Sequence, residues 1–128
     1  MCGQAPVGVS VTRVLYVEDE ALLAISMEGA LLDAGCSVAL AYDGAEGLVQ
    51  AESFSPEIIV TDFMMPGMDG PTMLHILEQR GVTVPVVLTT AVPERDLAAD
   101  VLERIDVYLA KPFTEEELVA VVSRLSRA

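Results

Sequence analysis

Short apolar runs alternate with helically spaced stripes along nearly the whole chain. Val14-Leu15-Tyr16-Val17, Ile58-Ile59-Val60, Val84 through Leu88 and Val107-Tyr108-Leu109 are continuous and rich in branched residues. Runs of this kind suit parallel strands covered on both faces. Cys36 through Tyr42 is a weaker fifth candidate, expected at an edge. Between the runs, Leu23, Met27, Ala30, Leu31 and Ala34 form one helical stripe, and Leu118, Val121, Val122 and Leu125 form another. The element ends carry matching signals. Asp43 with Glu46 and Thr114 with Glu117 have the form of capping boxes, and Pro71 and Pro93 suit first-turn positions. Gly35 and Gly81 fall where helices should stop. Five strands interleaved with five helices through right-handed crossovers predict an α/β fold: an open, doubly wound parallel sheet in one domain.

The chain has 128 residues, 52% of them apolar, which is the size and composition of one packed core. The division expected is a loose lead-in over residues 1–11 and a single domain over 12–128. The apolar stretches are strand-sized or broken by charge, so none is read as crossing a bilayer. The first residues do not resemble a secretory signal, and a cytoplasmic address is the default expectation. Cys2 and Cys36 lack metal-ligand spacing and suggest no disulfide framework. With 20 acidic residues against 7 basic, the net charge of −13 opposes direct contact with nucleic acid or an anionic membrane. A protein partner or a cation is favoured instead.

In open α/β sheets, ligands bind beyond the carboxyl ends of the strands, where the strand order reverses. The first strand runs out into Glu18-Asp19-Glu20, the third into Asp62, the fourth into Thr89-Thr90 and the fifth into Lys111, the only lysine in the chain. With strand order 2-1-3-4-5, Asp19 and Asp62 face each other across the switch point. Two carboxylates about 4–5 Å apart repel by roughly 3–4 kcal/mol at an effective dielectric near 20. Lys111 supplies one relieving charge. The excess of hard oxygen ligands, with no His or Cys beside them, calls for Mg²⁺ as well. Cation, lysine and hydroxyl make a cradle for a phosphoryl group, with Asp62 placed as the nucleophile that could carry it. The Pro66-Gly67 break after the strand turns the chain away and keeps Asp62 accessible. Met65 and Met68 are expected to pack beneath that loop.

Taken in order, VLYVEDE, VTDFMMPGMDG, VVLTTA and YLAKPF resemble the motifs of response-regulator receiver domains of two-component signalling. The resemblance covers roughly residues 12–127 and implies a flavodoxin-like sheet. It implies phosphoryl transfer to Asp62 from a histidine kinase or phosphotransfer protein, with Glu18 and Asp19 as the acidic pair for Mg²⁺ and the backbone carbonyl of Met64 as a further ligand. Thr90 and Lys111 would hold the phosphate, Tyr108 would be the aromatic switch, and output would pass through the face of helix 4, strand 5 and helix 5 to a downstream protein or a second copy. Such a domain catalyses only its own phosphorylation and dephosphorylation. One departure stands out: the usual Gly-Ala before the last strand is replaced by Glu103-Arg104-Ile105-Asp106, so the fourth helix is expected to be abbreviated or shifted. The chain resembles a stand-alone receiver or an excised one.

Blander readings apply elsewhere. His75 reads as a plain helical residue, Glu115-Glu116-Glu117 as a solvated helix start favoured by the dipole, and Tyr108 as either a switch or simple strand packing. Three rivals share the fold or the strand-end acid. A flavin module would need a Ser/Thr/Gly-rich loop where Glu18-Asp19-Glu20 stands. A haloacid-dehalogenase-like phosphatase would need a second acid at Met64, and the third rival is a receiver-like interaction module working without phosphorylation.

Overall fold

The computed structural model describes residues 11–126. The expected lead-in over residues 1–11 lies outside the described residues except for Val11. The elements are β1 (Arg13–Val17), α1 (Ala21–Asp33), β2 (Ser37–Ala41), α2 (Gly44–Phe54), β3 (Ile58–Asp62), α3 (Gly70–Gln79), β4 (Val86–Thr90), a 3₁₀ turn (Glu94–Asp96), α4 (Ala99–Arg104), β5 (Val107–Ala110) and α5 (Glu115–Ser126). All strands are parallel in the order β2-β1-β3-β4-β5, so the weak fifth run is indeed an edge. Consecutive parallel strands need crossovers, and each crossover contains a helix.

Two apolar layers sandwich the sheet. On one face, Val14, Tyr16 and Val60 pack with Ala24, Met27 and Leu31 of α1 and with Leu118, Val121 and Val122 of α5. On the other, Leu15, Val17 and Ile59 pack with Ala51 of α2 and with Met73, Leu74 and Leu77 of α3. Alternate residues of each strand therefore enter opposite layers. A third, smaller cluster lies under α4, where Leu88, Leu97 and Val101 are buried. No helix among the described residues is long and apolar enough to cross a membrane.

The end signals act largely as expected. Thr114 and Glu117 form a reciprocal capping box, with Glu117 N donating to Thr114 Oγ1 at 3.0 Å and Thr114 N to Glu117 Oε1 at 2.8 Å. Asp43 Oδ1 accepts from Glu46 N at 2.8 Å, while Glu46 reaches back to Tyr42 N rather than to Asp43. Gly35 and Gly81 take φ of 96° and 84° just beyond α1 and α3, a conformation that suits glycine. Two expectations shift. The strand read from Val84 starts at Val86, because Pro85 has no N–H and joins the sheet only through its carbonyl, which accepts from Ile59 N. Pro93 opens the 3₁₀ turn rather than an α-helix, and α4 is six residues long, abbreviated as expected.

Candidate functional site

The register of the sheet carries the chemistry to one edge. β1 lies between β2 and β3, so its carboxyl end, where Glu18 and Asp19 follow Val17, adjoins that of β3, where Asp62 is the last residue. Oxygens of Glu18, Asp19 and Asp62 come within 4.8 Å of one another. Lys111, arriving from the end of β5, places Nζ 3.0 Å from Glu18 Oε1 and 3.2 Å from Asp62 Oδ2. Asp19 is exposed, while the carboxylates of Glu18 and Asp62 are 1% and 10% exposed. Two buried acids thus share one ammonium, with a third acid at the mouth.

The electrostatics follow from that imbalance. Burial raises the pKa of both Glu18 and Asp62 above the ordinary carboxylate range, against the lowering effect of Lys111. Burial alone would weaken the Lys111 charge, but its two carboxylate partners outweigh this and raise its pKa. A hard divalent cation at the cluster would relieve the uncompensated charge, and the donor set of carboxylate oxygens without sulfur or imidazole suits Mg²⁺.

Backbone groups fix the acids. Glu20 N donates to Glu18 Oε2 at 3.1 Å, and Phe63 N donates to Asp62 Oδ1 at 2.9 Å. After Asp62 the loop folds back so closely that a Cβ on Gly70 would collide with the Asp62 carbonyl, and Gly70 N donates to Phe63 O at 2.8 Å. Glycine is therefore required at that point, which explains the second glycine of PGMDG. Met65 is buried, Met68 is half-buried, and Met64 stands exposed on the loop.

Thr90 and Tyr108 meet at the backbone of a single residue, Val92, rather than at the carboxylates. Thr90 Oγ1 accepts from Val92 N at 3.0 Å, and the Tyr108 hydroxyl donates to Val92 O at 2.5 Å. Thr89 instead turns its hydroxyl inward, toward Thr61 O at 3.4 Å, so the paired threonines have separate surroundings. Of the residues expected at the site, Glu18, Asp19 and Asp62 cluster together, Lys111 pairs with Glu18 and Asp62, and Thr90 and Tyr108 form a second group on the adjoining loop. Two features had no sequence signal: the shared role of Val92, which is a backbone role, and Tyr16. The Tyr16 ring is fully buried, its hydroxyl has no hydrogen-bond partner, and burial together with the charges of Glu18, Asp62 and Glu20 raises its pKa strongly.

The model of the response regulator receiver domain matches residues 14–123. Transcriptional regulatory protein PrrA of Mycobacterium leprae (strain TN) is 40% identical over 121 residues, which are 94% of this chain and 52% of PrrA. DNA-binding transcriptional regulator NtrC of Escherichia coli (strain K12) is 36% identical over 113 residues, 87% of this chain and 24% of NtrC. The chain thus spans about half the length of the first relative and a quarter of the second. Among solved structures, the Francisella response regulator 1452 receiver domain superposes with a TM-score of 0.84 at 30% identity, over 91% of this chain and 97% of that one. The chemotaxis response regulator CheY4 of Vibrio cholerae gives 0.84 at 25% identity, over 91% and 99%. The chain belongs to the response regulator receiver domain family of two-component signalling.

Proposed function

We propose that this receiver takes a phosphoryl group on Asp62 from the phosphohistidine of a histidine kinase or phosphotransfer protein. A carboxylate oxygen of Asp62 attacks phosphorus, the P–N bond breaks, and the imidazole leaves with its proton restored from solvent. The observation that carries this reading is the convergence of one ammonium and three carboxylates: Lys111 within 3.2 Å of both buried acids and Asp19 within ligand reach. Glu18, Asp19 and Asp62, with the Met64 carbonyl, would hold Mg²⁺, which when bound neutralises charge on the phosphoryl oxygens. Lys111 then balances the remaining oxygens, and the Thr90 hydroxyl, already accepting from Val92 N, has its hydrogen free to donate.

The partner has to bring a phosphohistidine over an acidic site, which favours a helical surface with an apolar seam and cationic flanks. The outer face of α1 fits such a helix. Leu22, Ile25 and Leu32 are 84%, 54% and 48% exposed, and Gly29 lies between them with open space where a Cβ would be. This stripe starts directly beside Glu20. Output would travel from Thr90 through Val92 to Tyr108 and the α4–β5–α5 face, toward a downstream protein or a second copy. The net charge of −13 argues against nucleic acid as a direct partner. Residues 12–128 are proposed to work as this one unit, in the cytoplasm with its phosphodonor, modifying only itself.

The test is incubation with Mg²⁺ and acetyl phosphate followed by intact-mass measurement. The expected result is one added phosphoryl group that requires Mg²⁺ and is absent in Asp62→Ala. Failure to gain it, or equal labelling of the variant, would overturn the proposal.

A further inference from the structure

Among the described residues α4 is the shortest α-helix, and Val101 is its one fully buried side chain, packed with Leu88 and Leu97. Its packing is correspondingly thin. Its last residue, Arg104, reaches across to α3. Nη2 donates to His75 Nδ1 at 3.1 Å, which requires the neutral imidazole. Nε lies 3.7 Å from Glu78 Oε1, and Nη1 lies 3.6 Å from Asp100 Oδ2 within α4 itself. The side chain is 24% exposed, and Nε is sealed from solvent without a hydrogen bond of its own. Beside it a cavity of about 370 Å³ opens between α3 and the start of β4, lined among others by Leu74, Leu77 and Val84. The Arg104 guanidinium, with Ile105 packed beside it against the Leu74–Leu77 layer, therefore joins the end of α4 to α3.

The segment that leads into α4 is tied to the site at Val92. Val92, two residues before the 3₁₀ turn begins, is held through N–H by Thr90 and through C=O by Tyr108. The helix is thus fastened at two points, one that answers to the site and one that does not.

We propose that Arg104 is a latch that holds α4 against α3 in the resting protein and so sets the free energy that occupancy of the site must supply to shift α4. Arg104 is a positioning residue, and the proposal rests on the function proposed above. Linkage gives the sign: an interaction made only in the resting arrangement weakens every ligand that favours the other arrangement, and removing it tightens that ligand.

The full chain is titrated with beryllofluoride, a small phosphoryl mimic, at saturating Mg²⁺ by calorimetry. Arg104→Met keeps the apolar stem and loses the fork; it should bind about three- to tenfold tighter than wild type. His75→Leu should move partway, and the double variant should bind no tighter than Arg104→Met alone, because both remove one interaction. Arg80→Met, which alters another arginine at the end of α3, should leave affinity unchanged. Hydrogen exchange supplies a readout independent of the site: amides of residues 99–104 should exchange faster in Arg104→Met. Unchanged or weaker beryllofluoride affinity, additive effects of the two substitutions, or unaltered exchange would each overturn the latch. Wild type that binds no beryllofluoride while Arg104→Met still exchanges faster would instead refute the function proposed for the site, and the inference would fall with it.

Discussion

Asp62→Asn should make the metal-free protein more stable at neutral pH, although it removes the residue proposed to take the phosphoryl group. The Asp62 charge meets three opposing effects of comparable size. Attraction to Lys111 at 3.2 Å is worth about 5 kcal/mol at an effective dielectric near 20. Repulsion from Glu18, whose oxygen lies within 4.8 Å, costs about 3.5 kcal/mol or more on the same scale. Removing the carboxylate from water costs several kcal/mol more. The balance is unfavourable, in agreement with a pKa raised by burial. Asparagine keeps an oxygen for Phe63 N and leaves the Lys111–Glu18 contact of 3.0 Å intact. The expected gain is about 1–3 kcal/mol in urea unfolding at pH 7.5 with chelator present. The sign with pH follows. Because the folded-state pKa of Asp62 is raised, its contribution to stability is fully present below the ordinary value of 3.8 and is lost as pH rises through the folded value. The advantage of asparagine should therefore shrink as pH falls into that range, where Asp62 is itself neutral. A variant less stable than wild type at pH 7.5, or an advantage that grows on acidification, would show that the lysine outweighs burial and would refute the reasoning.

Mg²⁺ should stabilise the wild type by about 2–3 kcal/mol at a hundredfold excess over its dissociation constant and stabilise Asp62→Asn less, read as shifts in thermal midpoint. Tyr16→Phe should raise stability by roughly 1–3 kcal/mol, since it deletes a buried hydroxyl with no partner; a loss in urea unfolding would reveal a bound water or other partner for that group. Tyr108→Phe removes the bond to Val92 O and should cost about 0.5–1.5 kcal/mol while leaving Mg²⁺ affinity within twofold. Met64 and Val92, the residues two positions past Asp62 and Thr90, cannot orient a hydrolytic water. The acyl phosphate should therefore decay slowly, and glutamine at both positions should shorten its half-life about tenfold in a mass-spectrometric time course.

Period and punctuation sufficed for five parallel strands alternating with helices, though the order 2-1-3-4-5 was supposed rather than read from them. Buried parallel strands leave continuous branched runs, and their ends collect the charges that the core rejects. That is why the sequence alone groups Glu18, Asp19, Asp62 and Lys111. The start of β4 was displaced because hydrophobicity does not register a missing N–H, and Pro85 is apolar yet cannot donate to the ladder. The stripe assigned to α1 took in Ala34, which is exposed, and omitted Ala24, which is buried; a helix apolar on nearly every side has no contrast from which to read its inner face. The contacts of Arg104 were illegible for another reason. They join residues on two helices, and the lost Gly-Ala signalled only that this segment would differ.

Lys111 bears the single side-chain amine in the whole sequence, and it stands at the centre of the acidic cluster with 22% of its side chain exposed. Amine-directed dyes, crosslinkers or immobilisation resins therefore have two addresses on this protein, the α-amino group and the place where signalling chemistry is proposed to occur. Conjugation by that route would disable the chemistry proposed there. Conversely, protection of this amine from a mild acylating reagent offers a direct gauge of whether the centre is occupied.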